Sequence, residues 1–332
     1  MTTRLLCFGE ILVRLTAPAG ELLLQTPELA AHIGGAEANV AVCVSRLGGS
    51  SAMATVLPDN PLGLAARDHL RRHGVDASRV AFAPGRMGLY FLTPGAVLRA
   101  SEIVYDRAGS AFAQAKPDAI EWTAALKGAE WLHVSGITPA VSEAGGRAAL
   151  AAVEAATRAN VKISFDGNYR ASLWKARGET GAAILRDLLA HATLAFIDER
   201  DIALILGRTF EGRVDAAAAA FAAFAKLERI AATTRTTHGV DDYSLGATLF
   251  TRTTDYTLAP LGLPGVIDRI GGGDAFAGGF LYALMDNMTD PETLAFALHT
   301  AAAKHGQLGD CLTASATDIR ALMQGAKLDV KR

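Results

Sequence analysis

Short apolar runs alternate with longer segments of helical periodicity, and this alternation limits the possible folds more than any other feature of the chain. The runs typical of buried strands cover residues 4–10, 51–57, 130–136, 161–167, 193–198 and 229–235. Apolar residues recur at helical spacing over residues 35–48, 61–74, 143–160 and 179–192. Strands separated by helices form parallel sheets that are covered on both faces. The sequence therefore predicts an α/β fold, with a mostly parallel central sheet and helices on both faces.

Two segments interrupt this alternation, because their strand patterns have no helix between them. They cover residues 11–25 and 88–107, and Thr93-Pro94-Gly95-Ala96 in the second has Pro and Gly where a type II turn favours them. We expect a small β-sheet that projects from the core as a lid, formed by residues 11–35 and 88–111. The core then comprises residues 1–10, 36–87 and 112–332.

Charge and composition exclude several classes of partner. The chain has 332 residues, half of them hydrophobic, and a net charge of −2, so neither nucleic acid nor an anionic membrane would attract it. The apolar N-terminus has the pattern of a strand and lacks the features of a signal peptide. Cys7, Cys43 and Cys311 are far apart and lack metal-ligand spacing, as is typical of free thiols in a reducing compartment. We expect a cytoplasmic protein that binds neither nucleic acid nor membranes.

Polar residues follow several of the predicted strands. They are Glu10, Gly136, the residues 166–170, Asp198 and Arg235. In an open α/β sheet, ligands bind outside the carboxyl ends of the strands. We therefore expect these residues to converge on one crevice.

A glycine run, Gly271 to Gly273, leads into Asp274 and an apolar helical segment that begins at Ala275. The free N–H groups at a helix N-terminus bind anions such as phosphate, and glycine allows a close approach. A carboxylate at that place could accept a proton from an attacking hydroxyl. Asp is also a common N-cap residue, so this stretch alone leaves a purely structural role open. Neither a G-x-x-x-x-G-K-[ST] motif nor a G-x-G-x-x-G motif after the first strand occurs, which disfavours a Rossmann dehydrogenase.

Two motifs together resemble those of the ribokinase-like (PfkB) carbohydrate kinases, and the similarity extends along nearly the whole chain. Residues 33–41 are similar to the N-terminal signature of that family, and residues 268–276 to its C-terminal signature, with Arg269 for the usual Thr and Gly272 for the usual Ala. Residues 88–91, 105–111, 133–140 and 165–174 resemble the 2-keto-3-deoxygluconate kinase subgroup. The resemblance implies ATP-dependent phosphorylation of the C6 hydroxyl of this sugar acid, with Mg²⁺ as a cofactor.

The resemblance also implies roles for individual residues on the acceptor side. Asp274 would be the base, and the backbone of Gly271, Gly272 and Gly273 would stabilise the transferred phosphoryl group. The carboxylate and keto end of the sugar would contact Tyr105, Arg107 and Arg170, consistent with the bidentate fork that Arg offers. The rest of the sugar would be framed by Gly34, Gly35, Asn39, Tyr90 and Ile137.

Other roles remain open for several of these residues. Arg107 could instead pair with Asp106 on the surface, and Asn39 could be a satisfied polar residue within a helix. The two tyrosines could pack within the lid. Arg14 could be a solvated strand residue or a substrate contact, and the second role would favour an acidic sugar.

The nucleotide side departs from the family pattern. The usual N-x-x-E appears as Asp198-Glu199-Arg200-Asp201, so the resemblance implies a magnesium site at Asp198 and Asp201. The usual V-K-x-G-x-x-G is replaced by residues 231–247, where Arg235 would substitute for the lysine as a phosphate partner. The remaining nucleotide contacts implied are Asp198, Gly246, Ala247, Gly271, Gly273 and His305.

Three other functions remain open at this stage. They are phosphorylation of a neutral sugar such as fructose or ribose, non-catalytic sensing of a sugar or nucleotide, and NAD-dependent oxidation. The apolar residues Leu22, Leu23 and Leu24 in the predicted lid favour a homo-oligomer that pairs lids between subunits.

Overall fold

The computed structural model describes residues 4–116 and 118–325. Its strands are β1 (Leu5–Phe8), β2 (Leu12–Thr16), β3 (Ala30–Gly34), β4 (Ser51–Pro58), β5 (Val80–Ala83), β6 (Gly88–Thr93), β7 (Glu102–Asp106), β8 (Trp131–Ser135), β9 (Lys162–Asp166), β10 (Leu194–Phe196), β11 (Arg229–Thr237), β12 (Asp242–Thr251) and β13 (Asp255–Pro264). Its helices are α1 (Ala36–Arg46), α2 (Pro61–Arg72), α3 (Trp122–Ala125), α4 (Ile137–Val141), α5 (Glu143–Arg158), α6 (Ala171–Ala176), α7 (Ala182–His191), α8 (Glu199–Leu206), α9 (Arg213–Ala223), α10 (Gly272–Met285), α11 (Asp290–His305) and α12 (Ala316–Met323).

Within the described residues, nine strands form the central sheet in the order β13-β12-β11-β10-β9-β8-β1-β4-β5. All pairings are parallel except those of β12 with β11 and β13. This arrangement confirms the predicted α/β fold. The strand order reverses beside β1, which lies between β4 and β8, and such a switch point is where α/β sheets bind ligands. No helix in the described part is long and apolar enough to cross a membrane.

The apolar core forms two layers because successive side chains of a buried strand point to opposite faces of the sheet. Leu5 and Cys7 of β1 belong to the cluster that includes residues of α1, α10 and α11. Leu6 and Phe8 belong to the opposite cluster, with residues of α5, α7 and α9. Because apolar layers cover both faces of the sheet, every residue of β1 and β4 is buried, and neither strand shows an alternation of apolar and polar residues.

The helix after the glycine run begins earlier than predicted. Gly271 is its N-cap in the left-handed conformation, with φ +79°, and α10 starts at Gly272. Asp274 therefore lies in the first turn of the helix and does not precede it. Gly271 suits this N-cap position because only a residue without a Cβ tolerates this φ easily.

A second sheet has the order β3-β2-β6-β7, and its strands lie within residues 12–34 and 88–106. β2 and β6 are parallel, whereas β3 and β7 pair antiparallel with them. Two local expectations were wrong. The strand that follows β2 starts at Ala30, beyond residue 25, and the chain reverses at Ala96–Arg99, where these two residues exchange backbone hydrogen bonds of 2.9 and 2.8 Å. Gly95 lacks the positive φ that a type II turn at residues 93–96 requires.

Candidate functional site

A cleft of about 1170 Å³ lies where the carboxyl ends of the central strands meet the second sheet. Glu10, Asp166, Arg170, Asp198 and Arg235 all line it, so most of the residues predicted at strand ends do converge. Gly136 is absent from the lining of this cleft. Its N–H instead donates to the carbonyl of Asp166 over 2.8 Å, and the next residue, Ile137, forms part of the wall.

The glycine turn forms one wall of this cleft, and two of its glycines have no room for a side chain. A Cβ on Gly271 would lie 1.8 Å from the carbonyl oxygen of Asp310, and one on Gly272 would lie 2.6 Å from Cε1 of His305. Gly273 faces open space. The N–H groups in the first turn of a helix lack intrahelical acceptors and lie at the positive end of the helix dipole. This turn can therefore hold an anion such as a phosphoryl group.

Asp274 lies at the same wall, and among the described residues one side chain hydrogen-bonds to it. The Nδ2 of Asn39 donates to Oδ2 of Asp274 over 2.7 Å. Burial raises the pKa of Asp274 to about 6, although the Asn39 hydrogen bond and the positive charge of Arg170 oppose the shift. A carboxylate with this pKa is mostly ionised at neutral pH and can still take a proton, as a general base requires.

Two further carboxylates line the cleft, and one of them, Asp166, lies close enough to Asp274 for their charges to repel. Burial, followed by repulsion from Asp274 and Asp201, raises the pKa of Asp166 to about 8. Burial likewise raises the pKa of Asp201 to about 6. Such a concentration of acidic groups would be stabilised by a cation. Asp166 was expected in the crevice because of its position at a strand end, but no catalytic or metal role was predicted for it.

Asp198, the other predicted metal ligand, is engaged within the protein. Its side chain accepts hydrogen bonds from the N–H groups of Arg200 and Asp201 and forms an ion pair of 2.5 Å with Arg200. Although burial opposes the shift, these contacts lower the pKa of Asp198. In the described residues no group of three or more His, Cys, Asp or Glu side chains is arranged to hold a metal. The magnesium role of Asp198 and Asp201 stays a prediction.

The acceptor end of the cleft brings together most of the predicted sugar contacts. The lining includes Gly35, Asn39, Tyr90, Tyr105, Arg107, Ile137 and Arg170. Arg107 does not pair with Asp106, so that alternative was wrong. Asp106 pairs with Arg86 at 2.6 Å, and the Nε of buried Arg107 donates to Oε2 of Glu10 over 2.8 Å.

Arg170 differs from Arg107 because no ion pair of the described residues includes it. Its Nη1 donates only to the backbone carbonyl of Tyr169, over 3.3 Å. The side chain is exposed and lines the cleft. Its guanidinium is therefore available for an anionic ligand.

Asp310 is a wall residue that the sequence did not identify. Its Oδ2 accepts a hydrogen bond of 2.5 Å from the hydroxyl of Tyr90. Gly34 does not line the cleft but packs against this carboxylate, since a Cβ on Gly34 would lie 2.2 Å from Oδ2. The only local signal was its place after Gly309, and its partners are more than 200 positions away in the chain.

Arg14 takes neither of the two roles considered for it. It is 1% exposed and is absent from the cleft lining. Its guanidinium forms ion pairs with Asp268 at 2.6 Å and Asp310 at 3.2 Å. The identity of this residue therefore gives no support for an acidic sugar.

The predicted nucleotide contacts are only partly brought together. Arg235 lines the cleft, with its guanidinium 5.4 Å from the ring centre of Tyr243, and so does His305, whose Nδ1 lies 2.7 Å from the carbonyl of Ala301. Gly246 and Ala247 are absent from the lining, which includes Leu245 of the same strand. Ala247 is buried in the core, and a Cβ on Gly246 would face Pro260 of β13.

Arg269 lines the cleft, was not predicted as a contact, and belongs to no ion pair of the described residues. Two further cleft arginines were also not predicted. They are Arg200, paired with Asp198, and Arg213, paired with Glu199 at 3.1 Å. Arg200 lies in the first turn of α8, which its partner Asp198 caps. Arg213 is the first residue of α9, and its partner Glu199 is the first residue of α8. Their charges are largely satisfied inside the protein.

Comparison with known proteins shows similarity along the whole chain. The model of the family described as pfkB family carbohydrate kinase matches residues 2–317. A 2-dehydro-3-deoxygalactonokinase of Haloferax volcanii is 31% identical over 332 residues, which cover 100% of both chains. The crystal structure of a 2-dehydro-3-deoxygluconokinase from Thermotoga maritima superimposes with a TM-score of 0.92 at 32% identity, covering 98% of this chain and 99% of that one. Fructokinase-1 of Zea mays is 34% identical over 205 residues, covering 60% of this chain and 61% of its own.

Proposed function

The chain belongs to the pfkB family of carbohydrate kinases and is a phosphotransferase, and we propose that its acceptor is a 2-keto-3-deoxy sugar acid. In this proposal the γ-phosphoryl group of ATP is transferred to the C6 hydroxyl of 2-keto-3-deoxygluconate or of its galactonate epimer. The observation that carries the proposal is an arginine without a carboxylate partner, Arg170, in the same cleft as the base candidate Asp274.

The transfer step uses groups on one wall of the cleft. Asp274 accepts the proton of the attacking hydroxyl, since its pKa of about 6 leaves it ionised at neutral pH. The backbone N–H groups at Gly271, Gly272 and Gly273 stabilise the negative charge that spreads over the transferred phosphoryl oxygens. Positioning and electrostatics of this kind supply most of the catalysis in phosphoryl transfer.

Specificity for an acid comes from the arginines of the acceptor end. Arg170 would bind the sugar carboxylate through a bidentate contact. The charge of Arg107 is already balanced by Glu10, so this residue would serve the keto group as a hydrogen-bond donor. The apolar and aromatic side chains of Tyr90, Tyr105 and Ile137 would frame the rest of the sugar.

The nucleotide would extend toward Arg235 and His305, with the phosphates directed at the glycine turn. Asp166 and Asp201 fit a divalent cation, because both are carboxylates of the cleft whose pKa values are raised first by burial and then by neighbouring carboxylates. Mg²⁺ bound there would neutralise charge on the phosphoryl oxygens. Asp198 would have an indirect role, because it caps the N-terminus of α8, the helix that carries Asp201.

The second sheet would act as the lid of the cleft and as an interface between two copies of the chain. Tyr90 and Tyr105 come from this sheet, so its closure would exclude water from the transfer. Leu22 and Leu24 are 52% and 70% exposed, and Val104 is 47% exposed. Sedimentation at micromolar concentration tests the interface, and a strictly monomeric profile would contradict it.

A neutral sugar is the second candidate acceptor, favoured by the partial match to a fructokinase. A coupled ADP-release assay with Mg-ATP separates the two. The acceptors are 2-keto-3-deoxygluconate, its galactonate epimer, gluconate, fructose and ribose. Turnover with the keto-deoxy acids alone is the expected result and ranks the epimers. Turnover with fructose or ribose instead would keep Asp274 as the base and refute the carboxylate contact.

A further inference from the structure

Asp274 has one oxygen that is held by the protein and one that is not. Oδ2 accepts the hydrogen bond from Asn39, which is 4% exposed and lies on α1. Oδ1 accepts no hydrogen bond from the described residues and is absent from the buried polar atoms that lack a partner, so it is accessible from the cleft. The two oxygens are thus distinguished by Asn39 alone.

The amide of Asn39 is in turn held from its other side. The Sγ of Cys311 donates to Oδ1 of Asn39 over 3.3 Å. Cys311 is 7% exposed and directly follows Asp310 in the segment after α11. Hydrogen bonds therefore link three side chains from separate parts of the sequence, Cys311, Asn39 and Asp274. They end at Oδ2 of Asp274, the oxygen that the protein holds.

The direction of these hydrogen bonds follows from the chemistry of the groups. An ionised carboxylate only accepts, so it requires the NH₂ side of the amide, and a thiol donates weakly to the carbonyl side. A reversed amide would place its oxygen against the carboxylate and its NH₂ group against the thiol hydrogen. The thiol and the carboxylate therefore favour the same orientation of Asn39.

We propose that Asn39 and Cys311 form a positioning pair for Asp274, in which the thiol holds the amide and the amide holds the carboxylate with Oδ1 toward the acceptor hydroxyl. Its consequence for turnover rests on the proposed function, whereas the contacts themselves require no substrate. The resemblance assigned Asn39 to the sugar and gave Cys311 no role. In the structure both polar atoms of the Asn39 side chain are engaged within this chain.

The charged and titratable groups around Asp274, Asn39 and Cys311 determine how the pair affects the pKa of Asp274. The charges that act on Asp274 are those of Glu37 of α1, Asp166 at the end of β9, Arg170 before α6 and Asp310 after α11. The thiols of Cys43 and Cys311 are neutral neighbours whose own pKa values are raised by burial and by the charge of Asp274. Cys311 itself faces His69 of α2, with Sγ 3.7 Å from Nε2, and Lys304 of α11. Burial lowers the pKa of His69 to about 4, so this imidazole is neutral in the working pH range. The acidic neighbours and burial raise the pKa of Asp274, and Asn39 opposes them, so loss of the pair should raise this pKa further.

The test is a direct titration of Asp274 by ¹³C NMR on protein labelled at the aspartate carboxyl carbons, with Asp274→Asn used to assign the signal. We expect Asn39→Ala to raise the pKa of Asp274 by about one unit, since a hydrogen bond to the charged form is lost. Cys311→Ala should raise it by roughly half a unit, because the amide is held less firmly. Cys311→Ser, whose hydroxyl still donates, should keep the wild-type value.

Two controls separate this role from simple packing. Cys43→Ala removes another buried thiol, which lies on α1 and whose Sγ contacts the backbone carbonyl of Ala275 and not the side-chain amide of Asn39. This variant should leave the pKa of Asp274 unchanged. The double variant Asn39→Ala/Cys311→Ala should titrate like Asn39→Ala alone, because Cys311 acts through Asn39. Additive shifts in the double variant would show that Cys311 acts independently and would overturn the pair.

Stability and turnover are measured on the same variants. If Cys311→Ala lowers the urea midpoint but leaves the pKa of Asp274 at the wild-type value, the thiol has only a structural role and the proposal is wrong. With an active acceptor, the acid limb of kcat/KM should move with the NMR pKa of each variant. A wild-type protein that phosphorylates none of the acceptors would refute the proposed function, while the titration would still decide the positioning pair.

Discussion

Arg14 offers the sharpest quantitative test of the structure, because it holds two buried carboxylates at once. Its guanidinium is 1% exposed and pairs with Asp268 at 2.6 Å and Asp310 at 3.2 Å. Removing one member of a buried ion pair costs about 3–5 kcal/mol, since the remaining charge stays buried without compensation. We expect Arg14→Met, which keeps an unbranched apolar side chain but removes the guanidinium, to lose at least this much unfolding free energy at pH 7.5.

The pH dependence gives the sign of the effect. Burial raises the pKa of Asp310 in the native state, and Arg14 opposes that shift. Without Arg14 the native pKa rises further above the unfolded value of about 3.9, so the native variant binds more protons than the unfolded chain between these two values. Its unfolding free energy therefore falls as pH rises through this window. The deficit relative to wild type should be smaller at pH 5.5 than at pH 7.5.

Urea unfolding followed by fluorescence at both pH values measures these differences. Arg170→Met is the matched control, because it makes the same change at an exposed arginine without an ion pair, and it should alter the unfolding free energy by less than about 0.5 kcal/mol. A deficit for Arg14→Met of less than about 1 kcal/mol at pH 7.5 would refute the reasoning. So would a deficit that is equal or larger at pH 5.5.

Four further predictions concern the cleft. Asp274→Asn should lower kcat by about 10²- to 10⁴-fold in the ADP-release assay while the urea midpoint changes little, and near-normal turnover would remove this residue as the base. For the wild type, the pKa of about 6 predicts that kcat/KM falls about tenfold from pH 7 to pH 5 as Asp274 is protonated, and a flat profile would contradict this. Arg170→Ala should raise KM for the keto-deoxy acid at least about tenfold with a smaller change in kcat, and an unchanged KM would show that the carboxylate binds elsewhere. Gly271→Ala should abolish ADP binding measured by calorimetry, because its φ of +79° and a Cβ 1.8 Å from a carbonyl oxygen force the turn to move. The control Gly246→Ala, whose nearest contact would be an ordinary 3.5 Å, should bind ADP normally.

Local patterns predicted six of the nine strands of the central sheet, namely β1, β4, β8, β9, β10 and β11, but not β5, β12 or β13. Buried parallel strands are apolar on both faces, and β1 has this composition without interruption, whereas β4 is fully buried but includes Ser51 and Thr55. The same reasoning failed where the backbone conformation depends on surrounding structure. The entry of α10 at Gly272 is set by the close approach of the carbonyl of Asp310, which no local pattern could reveal.

The roles of other residues were predicted wrongly or missed for a different reason, which is that their partners are remote in the sequence. Arg14 and Asp268 are 254 positions apart, and Tyr90 and Asp310 are 220 positions apart. An arginine in a strand has the same sequence signature whether it is solvated, bound to substrate or buried in an ion pair. Only the pairing that the fold creates distinguishes these cases.

The same difference between paired and unpaired arginines decides which positively charged side chains of the cleft are available to bind a ligand. Arg107 and Arg200 line it, yet each is neutralised by a carboxylate of this chain. Arg170, Arg235 and Arg269 also line it, and no ion pair of the described residues includes any of them. Arg170 lies near enough to Asp274 to lower its pKa, and Arg235 acts in the same way on His305. One of these cations therefore lies near the base and another lies near His305 on the far side of the glycine turn, an arrangement that suits the proposed transfer from a polyphosphate to a sugar acid.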